Sequence, residues 1–202
     1  MSRSTDGEQR FVSRAGLKLA HALDAFDVSV AGLVCADLGS NAGGFVDCLL
    51  QAGAKKVFAI ERGYGVLDFR LRRDPRVIVM ERTDALKVRL PELVGAVTID
   101  AGWTRQRLIL PPARSMLAPD GFIISLIKPH YEAEPAWLEK GILQESHLPT
   151  VLAHVRDDVV ASGFTIKAEI ESPIQGHGGN REFLMLLAAL PRPAFANVVS
   201  KP

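Results

Sequence analysis

Cysteine is scarce in this chain, with Cys35 and Cys48 the only two among 202 residues. A chain with so few cysteines has no disulfide framework, and neither residue lies in a metal-ligand spacing. Cys35 falls in a predicted buried strand and Cys48 in a predicted helix. The sequence therefore predicts two core thiols in a reducing compartment and no metal site.

Long apolar runs are also absent. No stretch approaches the roughly 18 apolar residues that cross a bilayer. The first ten residues have no apolar segment of the kind found in a secretory signal. We therefore expect a cytoplasmic protein with no membrane contact, in which residues 1–10 form a disordered tail, 11–190 one domain, and 191–202 a second tail.

An excess of positive charge is lacking as well, because 24 Lys and Arg residues face 23 Asp and Glu residues, for a net charge of +1. This balance is not typical of a nucleic-acid binder, so any RNA contact requires a local patch. Basic residues concentrated near the middle of the chain could follow a phosphate backbone, but such a run is more often a solvated face. The mid-chain basic residues are Arg70, Arg72, Arg73, Arg76, Arg82, Lys87 and Arg89.

Glycine is concentrated at one point, between an apolar run at 32–35 and an amphipathic run at 45–53. The pattern predicts a strand, a tight turn containing Gly39, Gly43 and Gly44, and a helix. Such a turn cradles a nucleoside-bearing ligand at the helix N-terminus. The Gly-x-x-x-Gly-Gly spacing matches neither the dinucleotide fingerprint nor the P-loop.

Two further predicted strands, 56–60 and 77–80, lead into acidic residues. Glu61 directly follows the first and is placed to accept hydrogen bonds from ribose hydroxyls. Asp84 follows the second and can reach the amino group of an adenine. This series suits S-adenosylmethionine, although a generic α/β turn with solvated Glu61 and Asp84 is the alternative.

Helical periodicity predicts a first helix over 12–26, capped by Ser13. Lys18 lies beside its apolar stripe and, taken alone, is expected to be solvated. A second helix over 105–117 is expected to break or restart at Pro111-Pro112, because proline removes a backbone donor.

Two more strands, 96–100 and 122–127, are separated by a predicted turn at 119–121 and end in Asp100 and Lys128. Their alternation with helices predicts a parallel sheet buried on both faces. Since adjacent strand ends meet at one edge, Asp100 and Lys128 are expected to meet there. A purely structural salt bridge would give the same pattern.

The connection 129–149 is long enough to be a lid or substrate loop, or else a loop with a short helix packed by Trp137. A helix is predicted over about 150–162 and a half-exposed strand over 164–170. The last predicted strand begins at Arg181, so that Glu182 lies near the same edge.

An ordered set of motifs resembles the FtsJ-type RNA methyltransferases, with the hemolysin-A branch most similar. The resemblance covers about 11–190. It implies a doubly wound, Rossmann-like class I methyltransferase fold with seven strands, mostly parallel, the last antiparallel. The motifs are Val12-Ser13-Arg14-Ala15-Gly16-Leu17-Lys18-Leu19, Asp37-Leu38-Gly39-Ser40-Asn41-Ala42-Gly43-Gly44-Phe45, Glu81-Arg82-Thr83, Ile127-Lys128-Pro129 and Gly179-Asn180-Arg181-Glu182-Phe183.

The resemblance also implies an activity, methyl transfer from S-adenosylmethionine to a ribose 2′-hydroxyl of RNA, with ribosomal RNA as the expected partner. The implied catalytic set is Lys18, Asp100, Lys128 and Glu182. The residues expected to bind the cofactor are Asp37, Gly39, Ser40, Asn41, Gly43, Gly44, Phe45, Glu61, Arg62, Asp84 and Asp100. No metal ligand and no oligomeric state are implied.

The chain departs from the hemolysin-A branch at three places. Asp100-Ala101-Gly102-Trp103 replaces Asp-Val-Ser-Phe, and Arg181 replaces an apolar residue. That branch also carries an S4-like RNA-binding domain before this one, so RNA affinity is expected to come from elsewhere. Trp103 or Tyr131 can stack on an unpaired base, with core packing as the alternative.

The expected chemistry needs a base, because a ribose hydroxyl is a poor nucleophile at neutral pH. Lys128 can serve if its pKa is lowered by burial and by a neighbouring cation such as Lys18. Asp100 and Glu182 would orient the amines. Two other functions stay open on the sequence alone: a cofactor-binding protein without catalysis, and a methyltransferase acting on a non-RNA substrate.

Overall fold

A seven-stranded sheet forms the centre of the computed structural model, which describes residues 10–191. The strands are β1 (Val34–Leu38), β2 (Lys56–Ile60), β3 (Val77–Met80), β4 (Val94–Ile99), β5 (Leu117–Ile127), β8 (Phe164–Glu171) and β9 (Phe183–Ala189), with a separate hairpin of β6 (Leu138–Glu139) and β7 (Ile142–Leu143). Their order across the sheet is β3-β2-β1-β4-β5-β9-β8. The predicted α/β class and mostly parallel sheet are confirmed, while the predicted tails lie almost wholly outside the described residues.

Helices cover both faces of the sheet. The helices are α1 (Ala15–Ala25), α2 (Gly44–Gln51), α3 (Phe69–Arg72), α4 (Gln106–Met116), α5 (Pro129–Glu132) and α6 (Leu148–Ala161). Among the residues that the structure describes, no helix has the length and apolar character needed to cross a membrane.

Two apolar cores lie on opposite faces of the sheet. One is formed with α1 and α2 and includes Leu19 and Phe45; the other is formed with α4 and α6 and includes Ile109 and Val155. Both cysteines are buried free thiols, as predicted. Burial of alternate strand residues on both faces explains the continuous apolar runs in the sequence.

The last strand, β9, is inserted antiparallel between β5 and β8. In this register Ile127 pairs with Phe183. Lys128 follows Ile127 and Glu182 precedes Phe183, so antiparallel pairing brings these two residues to the same edge of the sheet. The topology itself therefore assembles part of the predicted catalytic set.

The expected start of α1 is wrong by a few residues. The helix begins at Ala15 with Arg14 as its N-cap, and no side chain caps it. Ser13 contributes its backbone carbonyl instead, which accepts a hydrogen bond from Gly16 N at 3.1 Å.

Two expectations based on proline are also wrong. α4 runs without a break through Pro111 and Pro112, because its buried face, which includes Ile109 and Leu110, packs into the core and offsets the lost backbone bonds. The predicted turn at 119–121 lies within β5, where the four residues between Leu117 and Phe122 oppose a single residue of β4, Gly95. The extra residues form an irregularity in the strand rather than its end.

Candidate active site

The glycine-rich turn follows β1 and passes close beneath the segment that follows β4. Gly39 has a φ of +90°, and a Cβ atom there would lie 2.7 Å from the carbonyl oxygen of Asp100. Only glycine fits both constraints. The amides of Gly39 and Ser40 donate to the carbonyl oxygen of Ile60 at 2.9 and 3.0 Å, which fixes the turn against the end of β2.

A cavity of about 560 Å³ opens beside this turn. The Glu61 carboxylate borders it and accepts hydrogen bonds from Asn41 N at 2.8 Å and Gly63 N at 2.7 Å. The same carboxylate thus orders the loops after β1 and β2. The other predicted cofactor residues that line this cavity are Gly39, Asn41, Arg62, Asp84 and Asp100.

A smaller cavity of about 220 Å³ lies on the other side of the turn and shares Gly39, Asn41 and Asp100 with the first. Lys18 and Asp37 line it. The two cavities therefore meet at Asp100. The remaining predicted cofactor residues that line the smaller cavity are Ser40, Gly44 and Phe45.

Phe45 and Gly43 each have a role in the packing of the fold near the two cavities. Phe45 is only 2% exposed and packs in the core. Gly43 is the N-cap of α2, and a Cβ atom there would lie 2.3 Å from a methyl group of Leu71. Direct cofactor contact by either residue stays a prediction.

Asp37 is the most deeply buried carboxylate of the site, with no exposed surface. Its Oδ1 accepts a hydrogen bond from Thr98 Oγ1 at 2.6 Å, while Oδ2 has no partner among residues 10–191. Burial raises the pKa of Asp37 to about 7, although the Thr98 bond opposes the shift. An unpartnered buried carboxylate oxygen lacks a donor such as an ammonium group, so this position fits the amino acid part of S-adenosylmethionine.

The four predicted catalytic residues come together from four elements. Lys18 on α1 forms an ion pair with Glu182, which precedes β9, and both are at most 5% exposed. Lys128 at the end of β5 pairs with Asp100 at the end of β4, with Nζ and Oδ1 2.5 Å apart. The predicted meeting of Asp100 and Lys128 is confirmed. The expectation that Lys18 is solvated is wrong, because Glu182 accompanies it into the interior.

The condition set for Lys128 as a base, a lowered pKa, is not met by the residues around it. Burial lowers this pKa, but the ion pair with Asp100 and the nearby Glu182 carboxylate raise it by more, so the net shift is upward. Lys18 is held by Glu182 rather than acting on Lys128 as an unpaired cation.

The altered segment 100–103 places an aromatic residue at the mouth of the site. Trp103 is 86% exposed and has a φ of +59°. Its ring stacks on Tyr131, with centroids 4.7 Å apart, and Tyr131 lines the larger cavity. The alternative of core packing is therefore wrong for Trp103.

The sequence reasoning missed Glu132, Gln106 and Ser125. The backbone amide of Gln106 donates to Glu132 Oε1 at 2.8 Å, and Ser125 Oγ lies 2.8 Å from Gln106 Oε1. Neither contact follows a helical or strand period, so no local pattern marks these residues.

The long connection contains more structure than expected. It includes α5, two short 3₁₀ turns and the β6–β7 hairpin. Trp137 packs against the core and stacks on His147, while Asn180 accepts from Leu143 N at 3.0 Å and donates to Gly141 O at 2.9 Å. A lid role for the connection 129–149 stays a prediction.

Five of the seven mid-chain basic residues have side-chain contacts of two kinds. Arg73 and Arg82 lie over the exposed rings of Phe69 and Tyr64, at 4.6 and 4.2 Å from the ring centroids. The others with assigned partners form ion pairs, namely Arg70 with Asp68, Arg72 with Glu81 and Arg76 with Asp74. Stacked arginines keep their charge available to a phosphate, whereas paired ones are largely neutralised.

Comparison with known proteins gives a family and several relatives for this chain. A family model described as FtsJ-like methyltransferase matches residues 11–189. The 16S/23S rRNA (cytidine-2′-O)-methyltransferase TlyA of Mycobacterium tuberculosis is 36% identical over 91% of this chain and 70% of its own length. The chain spans about two thirds of the length of the curated relatives it matches.

Solved structures show the same fold. A hemolysin-like protein from Streptococcus thermophilus superposes with a TM-score of 0.88 at 37% identity, over 94% of this chain and 70% of that chain. An S-adenosylmethionine-dependent methyltransferase from Mesorhizobium loti gives a TM-score of 0.62 at 17% identity, over 84% of this chain and 96% of that chain. The latter likeness shows the fold alone.

Proposed function

The chain belongs to the FtsJ-like methyltransferase family, whose methyl donor is S-adenosylmethionine, and from this premise we propose that it methylates a ribose 2′-hydroxyl of ribosomal RNA. The observation that carries the proposal is the pairing of Lys128 with Asp100 and of Lys18 with Glu182 at one edge of the sheet. The pairs lie where the two cavities meet, with Asp100 lining both and Lys18 lining the smaller one.

The proposed reaction needs a proton acceptor for the 2′-hydroxyl. When bound, S-adenosylmethionine supplies a methyl group activated by a positively charged sulfur. Lys128 lines the cavity that fits this cofactor, and a neighbouring positive charge lowers an amine pKa. The positive charge of the cofactor would oppose the upward shift that Asp100 causes in the pKa of Lys128, so that Nζ can take the hydroxyl proton. Asp100 then keeps the resulting ammonium in place.

Lys18 and Glu182 have a different part in the proposal. Both are buried and paired with each other, so neither is available as a base. Lys18 lines the smaller cavity, and in the proposed reaction the charges of Lys18 and Glu182 orient the hydroxyl toward Lys128.

RNA as the substrate is supported by the surface near the site. Arg82 lies over Tyr64, and its amide donates to Gly63 O at 3.0 Å, in the loop that also carries Arg62 of the cavity wall. Trp103 offers an exposed ring for stacking on a base. Arginine and aromatic side chains together are typical of contacts with unpaired nucleotides. A ribosomal RNA substrate also implies a cytoplasmic protein.

The test is methyl transfer from labelled S-adenosylmethionine to unmodified ribosomal RNA, followed by alkaline hydrolysis. A 2′-O-methyl group removes the hydroxyl that alkaline cleavage requires, so label is expected in alkali-resistant dinucleotides. Lys128→Ala is expected to lower transfer by at least about a hundredfold, since a positioned base contributes about 10² to 10⁴.

Lys167→Ala is the matched control, because Lys167 is an exposed lysine on β8. Its transfer rate should equal that of the wild type. Label in mononucleotides would identify a base methyltransferase and contradict the assignment of Lys128. Cofactor binding without transfer to RNA would favour a non-RNA substrate or a protein that binds without catalysis.

A further inference from the structure

Three contacts join the segment that follows β4 to the segment that follows β5. Each uses one residue or backbone group from each segment, and they occur in order along both. The contacts are the Asp100–Lys128 ion pair at 2.5 Å, the stacked rings of Trp103 and Tyr131 with centroids 4.7 Å apart, and the hydrogen bond from Gln106 N to Glu132 Oε1 at 2.8 Å. The proposed function uses residues of the first two contacts and leaves the third without a role.

Glu132 satisfies the start of α4 from another element. The N-cap of α4 is Arg105, whose side chain accepts no capping bond. First-turn amides have no partner inside the helix, and negative charge is favourable there. The Glu132 carboxylate, at the end of α5, provides both a hydrogen-bond acceptor and a negative charge at the start of α4.

Gln106 is fixed a second time through its side chain. It is 3% exposed, and its Oε1 accepts a hydrogen bond from the buried Ser125 Oγ on β5. The first residue of α4 is therefore attached to α5 through its backbone and to β5 through its side chain.

The segment 100–105 has no helix or strand of its own. Its position therefore depends on its two ends, the end of β4 and the start of α4. Asp100 and Trp103 both lie within this segment. We expect a displacement of Gln106 to move this segment, which contains Asp100, the residue that pairs with Lys128.

We propose that Glu132 is a positioning residue for methyl transfer, whose carboxylate fixes the start of α4 and thereby holds Asp100 against Lys128 and Trp103 against Tyr131. The inference rests on the proposed function for the reaction itself. It adds a residue that lines neither of the two cavities and does not belong to the four charged residues.

The surroundings of Glu132 make this contact sensitive to pH. Burial raises the pKa of Glu132 to about 7, while the Gln106 amide, Arg105 and Arg107 lower it and Asp158 on α6 raises it. As the pH falls through 7, the carboxylate gains a proton and the contact with the helix start weakens. The contribution of Glu132 to the rate is therefore present above pH 7 and is lost below it.

The experiment compares Glu132→Ala, which removes the acceptor, with Glu132→Gln, which keeps a neutral acceptor at every pH. Glu134→Ala is the control, since Glu134 is exposed and its side chain caps nothing. For each variant, kcat and KM for unmodified ribosomal RNA are measured from pH 6 to 9 at saturating S-adenosylmethionine, so that titration of Asp37 through cofactor binding does not enter kcat, and the cofactor Kd is measured separately.

A second measurement needs neither substrate nor transfer. The pH dependence of tryptophan fluorescence is recorded for the wild type and each variant, with Trp103→Phe to identify the Trp103 contribution, because Trp103 and Trp137 are the only two tryptophans in the chain. In the wild type, the Trp103 signal is expected to change with a midpoint near pH 7. In Glu132→Gln it is expected to be constant.

Glu132→Ala is expected to lower kcat by about tenfold to a hundredfold with the cofactor Kd within about threefold, because small misplacements of reacting groups have effects of this size. Glu132→Gln, whose acceptor carries no charge, should have at every pH the lower kcat that the wild type has below pH 7, and should therefore lose the rate step near pH 7. Wild-type kcat in Glu132→Ala, or an unchanged step near pH 7 in Glu132→Gln, would overturn the proposal. If the wild type transfers no methyl group to RNA, the proposed function fails, while the fluorescence titration still decides whether Glu132 controls the segment.

Discussion

At the scale of single residues, the unpartnered oxygen of Asp37 predicts that cofactor binding is linked to proton release. With a pKa of about 7, roughly half of the Asp37 side chains carry a proton at pH 7. A bound ammonium group favours the carboxylate, so binding should release up to about half a proton per molecule. The measurement is the binding enthalpy of S-adenosylmethionine in buffers of different ionisation enthalpy.

Asp37→Asn is expected to abolish this buffer dependence and to weaken binding by about tenfold or more, since a charged hydrogen bond contributes about 1.5–3 kcal/mol. Glu132→Gln is the control, because Glu132 has a similar pKa but does not line the cavities. A buffer-independent enthalpy in the wild type would refute the link.

Ionisation of the buried Asp37 carboxyl group is expected to lower the free energy of unfolding. Its pKa is raised from 3.8 to about 7, so the stabilisation from its protonated form is full below pH 3.8 and is lost as the pH rises through 7. Asp37→Asn should therefore increase the free energy of unfolding at pH 8, by up to about 4 kcal/mol. Urea denaturation at pH 5 and pH 8 measures the difference, which should be smaller at pH 5.

At the scale of elements, the close crossing of α1 and α2 positions Lys18. A Cβ atom on Gly44 would lie 2.3 Å from Ser13 Oγ and 2.8 Å from the backbone nitrogen of Gly16. Gly44→Ala should therefore push α1 away from α2 and destabilise the protein by about 1–3 kcal/mol. Because α1 carries Lys18, kcat should fall more than cofactor affinity.

The control for this crossing is Gln51→Ala at the exposed end of α2. Its free energy of unfolding should stay within about 0.5 kcal/mol of the wild type. Full activity in Gly44→Ala would show that α1 can shift without moving Lys18.

The bounds of some helices and strands can be predicted from the sequence, and those of others cannot. The bounds of β2 and β3 are as predicted, because each is a short apolar run between polar or turn residues. The break expected at the prolines of α4 and the turn expected at 119–121 do not occur, because packing across the sheet outweighs local propensity. The Glu132 contact joins residues 26 positions apart and has no periodic signal.

The candidate site was predictable only in part for the same reason. Asp100 and Lys128 end neighbouring strands, so their meeting follows from the strand pattern. Lys18 has no such signal, because its burial depends on Glu182, 164 positions away. The family resemblance identified Lys18, whereas the local pattern predicted a solvated residue.

At the scale of the whole molecule, the Lys18–Glu182 pair connects the first helix to the last strand. Lys18→Met alone leaves Glu182 buried without its partner and should cost about 3–5 kcal/mol of unfolding free energy. The double variant Lys18→Met/Glu182→Leu should recover most of this loss but not the methyl transfer activity. Urea denaturation and transfer assays on the same preparations test both statements.

Recovery of activity along with stability in the double variant would show that the pair is structural only. Arg156→Met/Glu169→Leu provides a matched comparison, since that pair lies between α6 and β8 at the surface. Its stability should change by about 1 kcal/mol or less.

The position of β9 has a consequence for synthesis on the ribosome. β9 is made after β5 and β8 but lies between them, and it is the sheet partner of β8. An emerging chain that has not reached Phe183 exposes the edge of β5, and unpaired edges are prone to aggregation. Glu182 arrives with the same segment, so the nascent protein completes its hydrophobic centre and its set of charged residues in a single late step.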